Sequence, residues 1–182
     1  MTSPPLERVL LVGFMGSGKT SVGKRLAGRL GWRFIDFDDE VEAEAGAEIA
    51  EIFARHGEVW FRKLEAEVAG RLLRERKVVL GSGGGWAAAG PDRLSGVPAG
   101  TATFWLKVSP GEAVRRAQRR PGTRPLLDRP DPLAAAERLL GERAPRYGEA
   151  RWVVDTEGSS VEDVTAGILE ILEREYPRAR VE

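Results

Sequence analysis

The sequence has no cysteine, no asparagine and only one histidine among its 182 residues. Without cysteine the chain can form no disulfide, no thiolate metal site and no cysteine nucleophile, and a reducing compartment is the default. A single histidine cannot form a metal cluster. Without asparagine there can be neither a guanine-reading Asn-Lys-x-Asp loop nor the catalytic-loop asparagine of protein kinases.

A net charge and long apolar runs are missing as well. The 28 lysines and arginines balance the 28 aspartates and glutamates, so no net field draws the chain to nucleic acid or to an anionic membrane. No apolar run approaches the roughly 18 residues of a membrane span, and the first residues lack the pattern of a signal peptide. We therefore expect a cytoplasmic protein that binds neither nucleic acid nor membrane.

The length suits one domain, residues 1–182, since a core of this size can bury about 70% of the surface that the unfolded chain exposes. The apolar patterns predict strands at 8–14, 32–36, 78–80, 103–108 and 152–154. They predict helices at 18–30, 39–45, 47–55, 57–76, 110–120, 132–146 and 161–175. This alternation predicts an α/β fold of three layers, with a five-stranded parallel sheet flanked by helices. Ligands bind such sheets beyond the carboxyl ends of the strands.

The first strand leads into Gly-Phe-Met-Gly-Ser-Gly-Lys-Thr, residues 13–20, which fits the phosphate-binding P-loop and lies between a strand and a helix, as that motif requires. Its backbone N–H groups would surround the β-phosphate, Lys19 would reach the β and γ oxygens, and Thr20 would offer a hydroxyl to Mg²⁺. The expected nucleotide-binding residues are Gly16, Ser17, Gly18, Lys19, Thr20 and Ser21. Because a guanine-reading loop is excluded, ATP is the expected nucleotide.

Carboxylates follow the second strand in Phe-Ile-Asp-Phe-Asp-Asp, residues 34–39. Alternation along a strand would place Asp36 and Asp38 on the same side at its carboxyl end. One could serve the metal and the other a second substrate. The alternative is a helix cap, which is the favoured interpretation for Asp39.

A glycine run, Gly83–Gly85, follows the third strand and would allow a ligand to approach the backbone closely, although a plain turn is the competing interpretation. Arg62 lies three residues before Glu65 in a predicted helix, so the carboxylate could hold its guanidinium in place. By itself this would be a surface ion pair. Residues 119–131 are too rich in proline and glycine for regular structure. The longer segment that contains them, about 112–131, is either a mobile lid or a surface loop.

Taken together, these motifs resemble the shikimate kinase family over residues 9–156. The resemblance rests on the P-loop, the Asp-x-Asp pair, Glu51-Ile52-Phe53, Gly57-Glu58 before Phe61-Arg62, Gly83–Gly85, Arg124-Pro125-Leu126-Leu127, and Glu142-Arg143-Ala144-Pro145-x-Tyr147. It implies a P-loop kinase fold with a lid loop and with substrate-binding helices at about 38–65. It also implies transfer of the γ-phosphoryl of ATP to the 3-hydroxyl of shikimate, a step towards aromatic amino acids, by a monomer.

The resemblance also implies a role for individual residues. Asp36 would support Mg²⁺ together with Thr20, and Asp38 would hold the acceptor hydroxyls and take the proton. The remaining assignments are Arg62 and Arg143 at the shikimate carboxylate, Gly84 and Gly85 at its ring, and Arg124 with Lys19 at the transferring phosphoryl. Each role suits the residue type, since an arginine binds a carboxylate in bidentate fashion.

Three departures from the family pattern affect these expectations. Trp86 stands where a small residue is more usual, so either the acceptor pocket differs or the indole points away from it. Residues 157–160, directly after Thr156, contain no arginine or lysine to contact the adenine. In the lid, the family's nucleotide-binding arginine could be either Arg119 or Arg120. Two rival functions also stay open: a kinase of another small hydroxy acid or of a nucleoside monophosphate, and an ATP-binding switch that transfers no phosphoryl group to a metabolite.

Overall fold

The structure is a computed structural model that describes residues 4–118 and 130–177. Its centre is a parallel sheet of five strands in the order β2-β3-β1-β4-β5. The strands are β1 Arg8–Val12, β2 Arg33–Asp36, β3 Val78–Gly81, β4 Thr101–Lys107 and β5 Trp152–Asp155. The predicted fold class is confirmed, because each strand connects to the next through at least one helix, apart from β3 and β4, which are joined by turns.

The helices are α1 Lys19–Leu30, α2 Phe37–Ala45, α3 Ile49–Leu72, α4 Pro110–Gln118, α5 Pro132–Tyr147 and α6 Val161–Glu175. Two helices are predicted on either side of residue 57, and this division is confirmed, because the span labelled α3 consists of two helical segments that meet at a kink. The kink lies at Gly57, whose φ of 76° interrupts the helical geometry and is a conformation that glycine adopts without strain. Within the described ranges, no helix combines the length and the apolar character that a membrane span requires.

Alternation along the central strand divides the core into two layers. Val9 and Leu11 pack with apolar residues of α1 and α6 on one face of the sheet. Leu10 and Val12 pack with residues of α2, α3, α4 and α5 on the other. All four side chains are fully buried, which explains why β1 reads as a continuous apolar run: both of its faces are covered.

The strand order brings three carboxyl ends together. Leu11 of β1 and Asp36 of β2 are both in register with Gly81, the last residue of β3. The chain leaves β1 at the P-loop, leaves β3 at the glycine run and turns into α2 directly after β2. Segments that lie far apart in the sequence thus meet at one edge of the sheet, where α/β proteins bind ligands.

Candidate active site

The P-loop conformation depends on its glycines. Gly13, Gly16 and Gly18 have φ values of 146°, 78° and 94°, a region that other residues enter only with strain. A Cβ at Gly13 would also lie 2.5 Å from the carbonyl oxygen of Leu106 on β4. The sequence therefore folds into a loop that presses against the sheet and opens directly into α1, whose free N–H groups suit an anion.

Lys19, the first residue of α1, turns its ammonium group back onto this loop. Its Nζ donates hydrogen bonds to the carbonyl oxygens of Gly13, at 2.8 Å, and of Phe14, at 3.1 Å. Ser17 is buried within the loop, whereas Thr20 and Ser21 are exposed in the first turn of the helix. The predicted nucleotide-binding residues thus form one continuous surface at the start of α1.

Thr20 and Asp36 join the P-loop helix to the end of β2. The Thr20 hydroxyl donates a hydrogen bond of 3.0 Å to Asp36 Oδ2, and the other oxygen, Oδ1, accepts one of 3.0 Å from the backbone N–H of Asp38. Asp36 is therefore the N-cap of α2, and the interpretation of Asp39 as the cap is wrong. The helix begins at Phe37, two residues earlier than predicted, because the Asp36 side chain satisfies its free N–H groups.

This pair of oxygen ligands also fits a magnesium ion. Burial raises the pKa of the Asp36 carboxyl above its usual range, so a cation beside it would replace lost hydration. In the described ranges no group of three acidic, histidine or cysteine side chains could hold a metal by itself. Mg²⁺ commonly binds to one or two protein oxygens together with substrate phosphates and water, which is what Thr20 and Asp36 can offer next to the P-loop.

Asp38 lies in the first turn of α2 rather than on the strand, yet it faces the same space. A Cβ at Gly83 would lie 2.5 Å from Asp38 Oδ1 and 3.2 Å from Glu65 Oε1, so the glycine allows these carboxylates to approach the backbone of the run. Burial, followed by the charge of Asp36, raises the pKa of Asp38 to about 6. Its carboxylate is therefore a stronger base than an exposed aspartate.

Arg62 on α3 is held in place by Glu65, which has only 1% of its surface exposed. The guanidinium donates a hydrogen bond of 2.7 Å to Glu65 Oε2 and lies 3.6 Å from Glu58. A Cβ at Gly85 would come within 2.7 Å of Arg62 Nη2. The predicted Arg62–Glu65 pair is confirmed. It is not a surface ion pair, because the carboxylate of Glu65 is buried.

Arg143 reaches the glycine run from the opposite side. Its Nη1, on α5, donates a hydrogen bond of 3.2 Å to the carbonyl oxygen of Gly84, and its guanidinium lies 6.0 Å from the centre of the Phe14 ring. The buried Tyr147 hydroxyl donates to the same carbonyl oxygen, and burial raises the pKa of this tyrosine to about 12. Tyr147 belongs to the motif that carries the family resemblance, but sequence reasoning gave it no role.

A cavity of about 520 Å³ opens between the two arginines. Its lining residues are Glu58, Val59, Arg62, Gly85, Ala88, Ala89, Glu142 and Arg143. The structure thus brings Arg62, Gly85 and Arg143 together as the sequence predicts. The small side chains at 88 and 89 and the exposed Val59 were missed, because their spacing in the sequence carries no signal of a shared pocket.

The indole of Trp86 points away from this cavity. Trp86 has 1% of its surface exposed and packs edge-on against Phe37, with ring centres 5.4 Å apart. It belongs to the core layer formed with α2 and α3. The expectation that the indole points away from the acceptor pocket is therefore correct. The bulky side chain lies in the core next to the glycine run.

A third arginine, Arg116 of α4, contacts the P-loop and was also missed. It donates hydrogen bonds to the carbonyl oxygen of Gly16 at 2.9 Å and to that of Thr156 at 2.9 Å, and it pairs with Glu112 at 2.6 Å. One of many arginines before residue 119, it had no distinguishing pattern in the sequence. Arg124 lies outside the described residues, as does the predicted lid from 119 to 129, while residues 112–118 belong to α4.

Comparison with known sequences gives a consistent result. The family model for shikimate kinase matches residues 15–173. A shikimate kinase of Moorella thermoacetica is 41% identical over 164 residues, which are 90% of this chain and 93% of the relative. Another, of a Synechococcus species, is 40% identical over 164 residues, 90% of this chain and 85% of the relative.

Solved structures agree with the sequence comparison. A shikimate kinase from Acinetobacter baumannii in complex with shikimate superposes with a TM-score of 0.85 at 34% identity, covering 93% of this chain and 94% of that one. A shikimate kinase from Aquifex aeolicus gives a TM-score of 0.79 at 36% identity, covering 91% and 96%. A gluconokinase from Sinorhizobium meliloti, at 23% identity and a TM-score of 0.59, shares the fold.

Proposed function

The chain belongs to the shikimate kinase family, and we propose that it transfers the γ-phosphoryl group of ATP to the 3-hydroxyl of shikimate through the residues of this site. The observation that carries the proposal is that the P-loop, the Asp38 carboxylate and the two arginines of the cavity meet at one edge of the sheet. The products are shikimate 3-phosphate and ADP.

On the donor side, the P-loop and the first turn of α1 bind the phosphates of ATP. Backbone N–H groups contributed by Gly16, Ser17 and Gly18 surround the β-phosphate. When ATP binds, the ammonium group of Lys19 donates its hydrogen bonds to phosphate oxygens instead of to the carbonyl oxygens of the loop. Ser21, exposed in the same turn, lies within the surface that faces the nucleotide. Thr20 and Asp36 would hold Mg²⁺, which would supply positive charge to offset that of the phosphates.

On the acceptor side, Arg62 and Arg143 bind the carboxylate of shikimate across the cavity. Both guanidiniums are already held, the first by Glu65 and the second by the Gly84 carbonyl, so little side-chain entropy is lost on binding. The flat backbone at Gly84 and Gly85 leaves room for the ring. A site with two arginines favours a carboxylate over a nucleoside monophosphate base as the part of the acceptor that it recognises.

The chemical step is an in-line displacement at the γ-phosphorus. The 3-hydroxyl oxygen of shikimate forms a bond to phosphorus as the bond from phosphorus to the β,γ-bridging oxygen breaks, and that oxygen leaves with ADP. The hydroxyl proton passes to Asp38, whose raised pKa suits a general base near neutral pH. Lys19 stabilises charge on the moving phosphoryl group, and the family resemblance assigns the same role to Arg124.

We propose that a monomer is sufficient for activity, as the family resemblance implies. We also propose a cytoplasmic location, since the donor, ATP, is made available there. Small molecules, ATP and shikimate, are the partners that the site requires. The proposal gives no role to nucleic acid or to a membrane surface.

The test is ADP release with ATP and MgCl₂, measured with and without shikimate. We expect release to require shikimate and to fall by at least about 10³-fold in Asp38→Asn, since loss of the base and of its contacts to the acceptor act together. Asp39→Asn is the matched control, because Asp39 is the exposed neighbour on the same helix. Release that is independent of shikimate, from protein shown to bind ATP, would refute the assignment of the acceptor.

A further inference from the structure

Gly23 lies in the buried interior of α1 at a point where no side chain fits. A Cβ there would lie 2.6 Å from Cδ2 and 3.1 Å from Cζ of Phe34 on β2, and closer still to Cε2. Ordinary contacts between carbon atoms are about 3.5–4.0 Å. Glycine destabilises the interior of a helix relative to alanine, so its presence here marks a close approach of the helix to an aromatic ring.

The ring of Phe34 fills the space between the helix and the sheet. The same edge of the ring also approaches Gly81 of β3, where a Cβ would be 3.1 Å from Phe34 Cζ and 3.6 Å from Asp36 Oδ2. Phe34 and Asp36 are two residues apart on β2 and thus share a face of that strand. Gly81 is in register with Asp36, and its lack of a side chain leaves room for both.

The contact between Gly23 and Phe34 runs parallel to the hydrogen bond between Thr20 and Asp36. Thr20 and Gly23 are three residues apart on α1 and lie on the same side of the helix. The two contacts therefore form successive rungs between one helix and one strand. The contact between the Phe34 ring and the helix backbone at Gly23 limits how closely α1 approaches β2. It therefore also limits the distance between Thr20 Oγ1 and Asp36 Oδ2, which is 3.0 Å.

We propose that Gly23 and Phe34 are positioning residues for the metal: the ring acts as a spacer that sets the separation of Thr20 and Asp36 and so determines the affinity for Mg²⁺-bound ATP. The inference rests on the proposed function, in which these two oxygens hold Mg²⁺. Gly23 and Phe34 are not among the residues that the proposed function places at the nucleotide or the metal. A side chain at 23 must displace either the Phe34 ring or α1, and we expect the displacement to widen the separation of Thr20 and Asp36.

The experiment measures the affinity for ATP by isothermal titration calorimetry, once with MgCl₂ and once with EDTA. The ratio of the two dissociation constants is the Mg²⁺ enhancement. We expect Gly23→Ala to reduce this enhancement about tenfold, the scale on which groups that orient metal ligands act, with ATP binding in EDTA changed less than twofold. A merely structural defect would weaken both measurements together and leave the ratio unchanged.

Two further variants complete the design. Gly28→Ala lies on the same helix, is exposed and has nothing within 4 Å of its added Cβ, so the enhancement should equal that of the wild type. Phe34→Val removes the ring atoms that the new methyl group would meet while keeping a residue that favours strands. Combined with Gly23→Ala, it should restore the enhancement to within about threefold of the wild-type value.

The outcomes separate this inference from the proposed function. A wild-type protein whose ATP affinity is unaffected by MgCl₂ would refute the assignment of Thr20 and Asp36 to the metal. A wild-type protein with a clear enhancement, together with Gly23→Ala showing the same ratio, would refute the spacer alone, as would a double variant no better than Gly23→Ala. If Gly23→Ala does not fold, Phe34→Val by itself tests the spacer. A Mg²⁺ enhancement in Phe34→Val as large as that of the wild type would then refute the spacer.

Discussion

Asp36 accepts a hydrogen bond from the backbone N–H of Asp38 at 3.0 Å, so that two carboxylates stand at the start of one helix. The first caps the helix and bonds to Thr20, and its negative charge disfavours ionisation of the second. Together with burial, this arrangement raises the pKa of Asp38 to about 6. The geometry of the cap thus bears directly on the basicity of the proposed catalytic group.

The pH dependence of catalysis should report this pKa. Asp38 accepts a proton only when it is ionised, so activity is lost as the pH falls through its pKa. We expect kcat/KM for shikimate to decline about tenfold per pH unit below about pH 6, where an ordinary aspartate would hold activity down to about pH 4. The measurement is a profile from pH 4.5 to 8 at saturating ATP, and an acidic limb centred near pH 4 would contradict the prediction.

Removing the charge at position 38 should stabilise the fold while it abolishes activity. Above pH 6 the ionised Asp38 is destabilising, because its pKa in the folded state lies above its ordinary value of 3.8. We expect Asp38→Asn to raise the free energy of unfolding at pH 8 by about 3 kcal/mol, since each pKa unit corresponds to about 1.4 kcal/mol.

Urea unfolding at several pH values checks the sign of this effect. Between pH 6 and pH 4 the folded wild type takes up a proton that the unfolded chain does not bind, so its stability recovers as the pH falls. The advantage of Asp38→Asn should therefore shrink towards pH 4. A constant difference between pH 4 and pH 8 would show that the titration of Asp38 has no part in it.

Gly85→Ala should impair the acceptor site without weakening the fold. The new Cβ would lie 2.7 Å from Nη2 and 2.9 Å from Nη1 of Arg62, and the end of a flexible side chain moves more easily than backbone. We expect the KM for shikimate to rise about tenfold or more, with the KM for ATP and the melting temperature little changed. Gly70→Ala, exposed on the same helix as Arg62 and with nothing within 4 Å, should leave both KM values unchanged.

Arg143→Ala should raise the KM for shikimate by about 30-fold or more, because a charge-assisted hydrogen bond to a carboxylate contributes about 2 kcal/mol or more. ATP affinity, measured by calorimetry, should stay within about twofold of the wild-type value. Arg146→Ala is the control: it lies on the same helix, has 42% of its side chain exposed and pairs with Glu149, which does not line the cavity. Equal effects of the two substitutions would contradict the assignment of Arg143 to the carboxylate.

Tyr147→Phe tests the support behind the glycine run. The buried hydroxyl donates to the Gly84 carbonyl, which also accepts from Arg143. Its loss should cost about 1 kcal/mol of stability and raise the KM for shikimate a few-fold, with kcat preserved, since the tyrosine acts only through its neighbours. A variant with the wild-type KM for shikimate would limit Tyr147 to a structural role.

The donor side could be predicted from the sequence because its chemistry is local. Three glycines, Lys19 and Thr20 lie within eight consecutive residues directly after a strand, and the loop-to-helix geometry follows from that spacing. The start of α2 was misplaced for a related reason. The sequence-based prediction extended strand alternation as far as Asp38. In the structure the Asp36 side chain caps α2, so that β2 ends at Asp36 and the helix begins at Phe37. The two local patterns, strand and helix cap, compete at this point, and tertiary packing decides between them.

The acceptor side depends on contacts between distant segments. The walls at Val59, Ala88 and Ala89, the support from Tyr147 and the contact of Arg116 with the P-loop involve residues separated by many positions. For the same reason, the sequence did not predict whether the Trp86 side chain points into the acceptor pocket or into the core. Residue type alone does not show on which side of a turn the core lies.

The resemblance to a family supplied the pair of arginines for a carboxylate, because Arg62 and Arg143 lie far apart in the chain. What the sequence by itself determined is the class of the sheet and the position of the phosphate-binding loop. These follow from residue types at short, fixed spacings, where backbone geometry leaves few alternatives. Only the tertiary structure decided the raised pKa of Asp38, the burial of Glu65 behind Arg62 and the spacing of Thr20 from Asp36. Burial, charge proximity and close packing are sums over neighbours that the folded chain alone brings together.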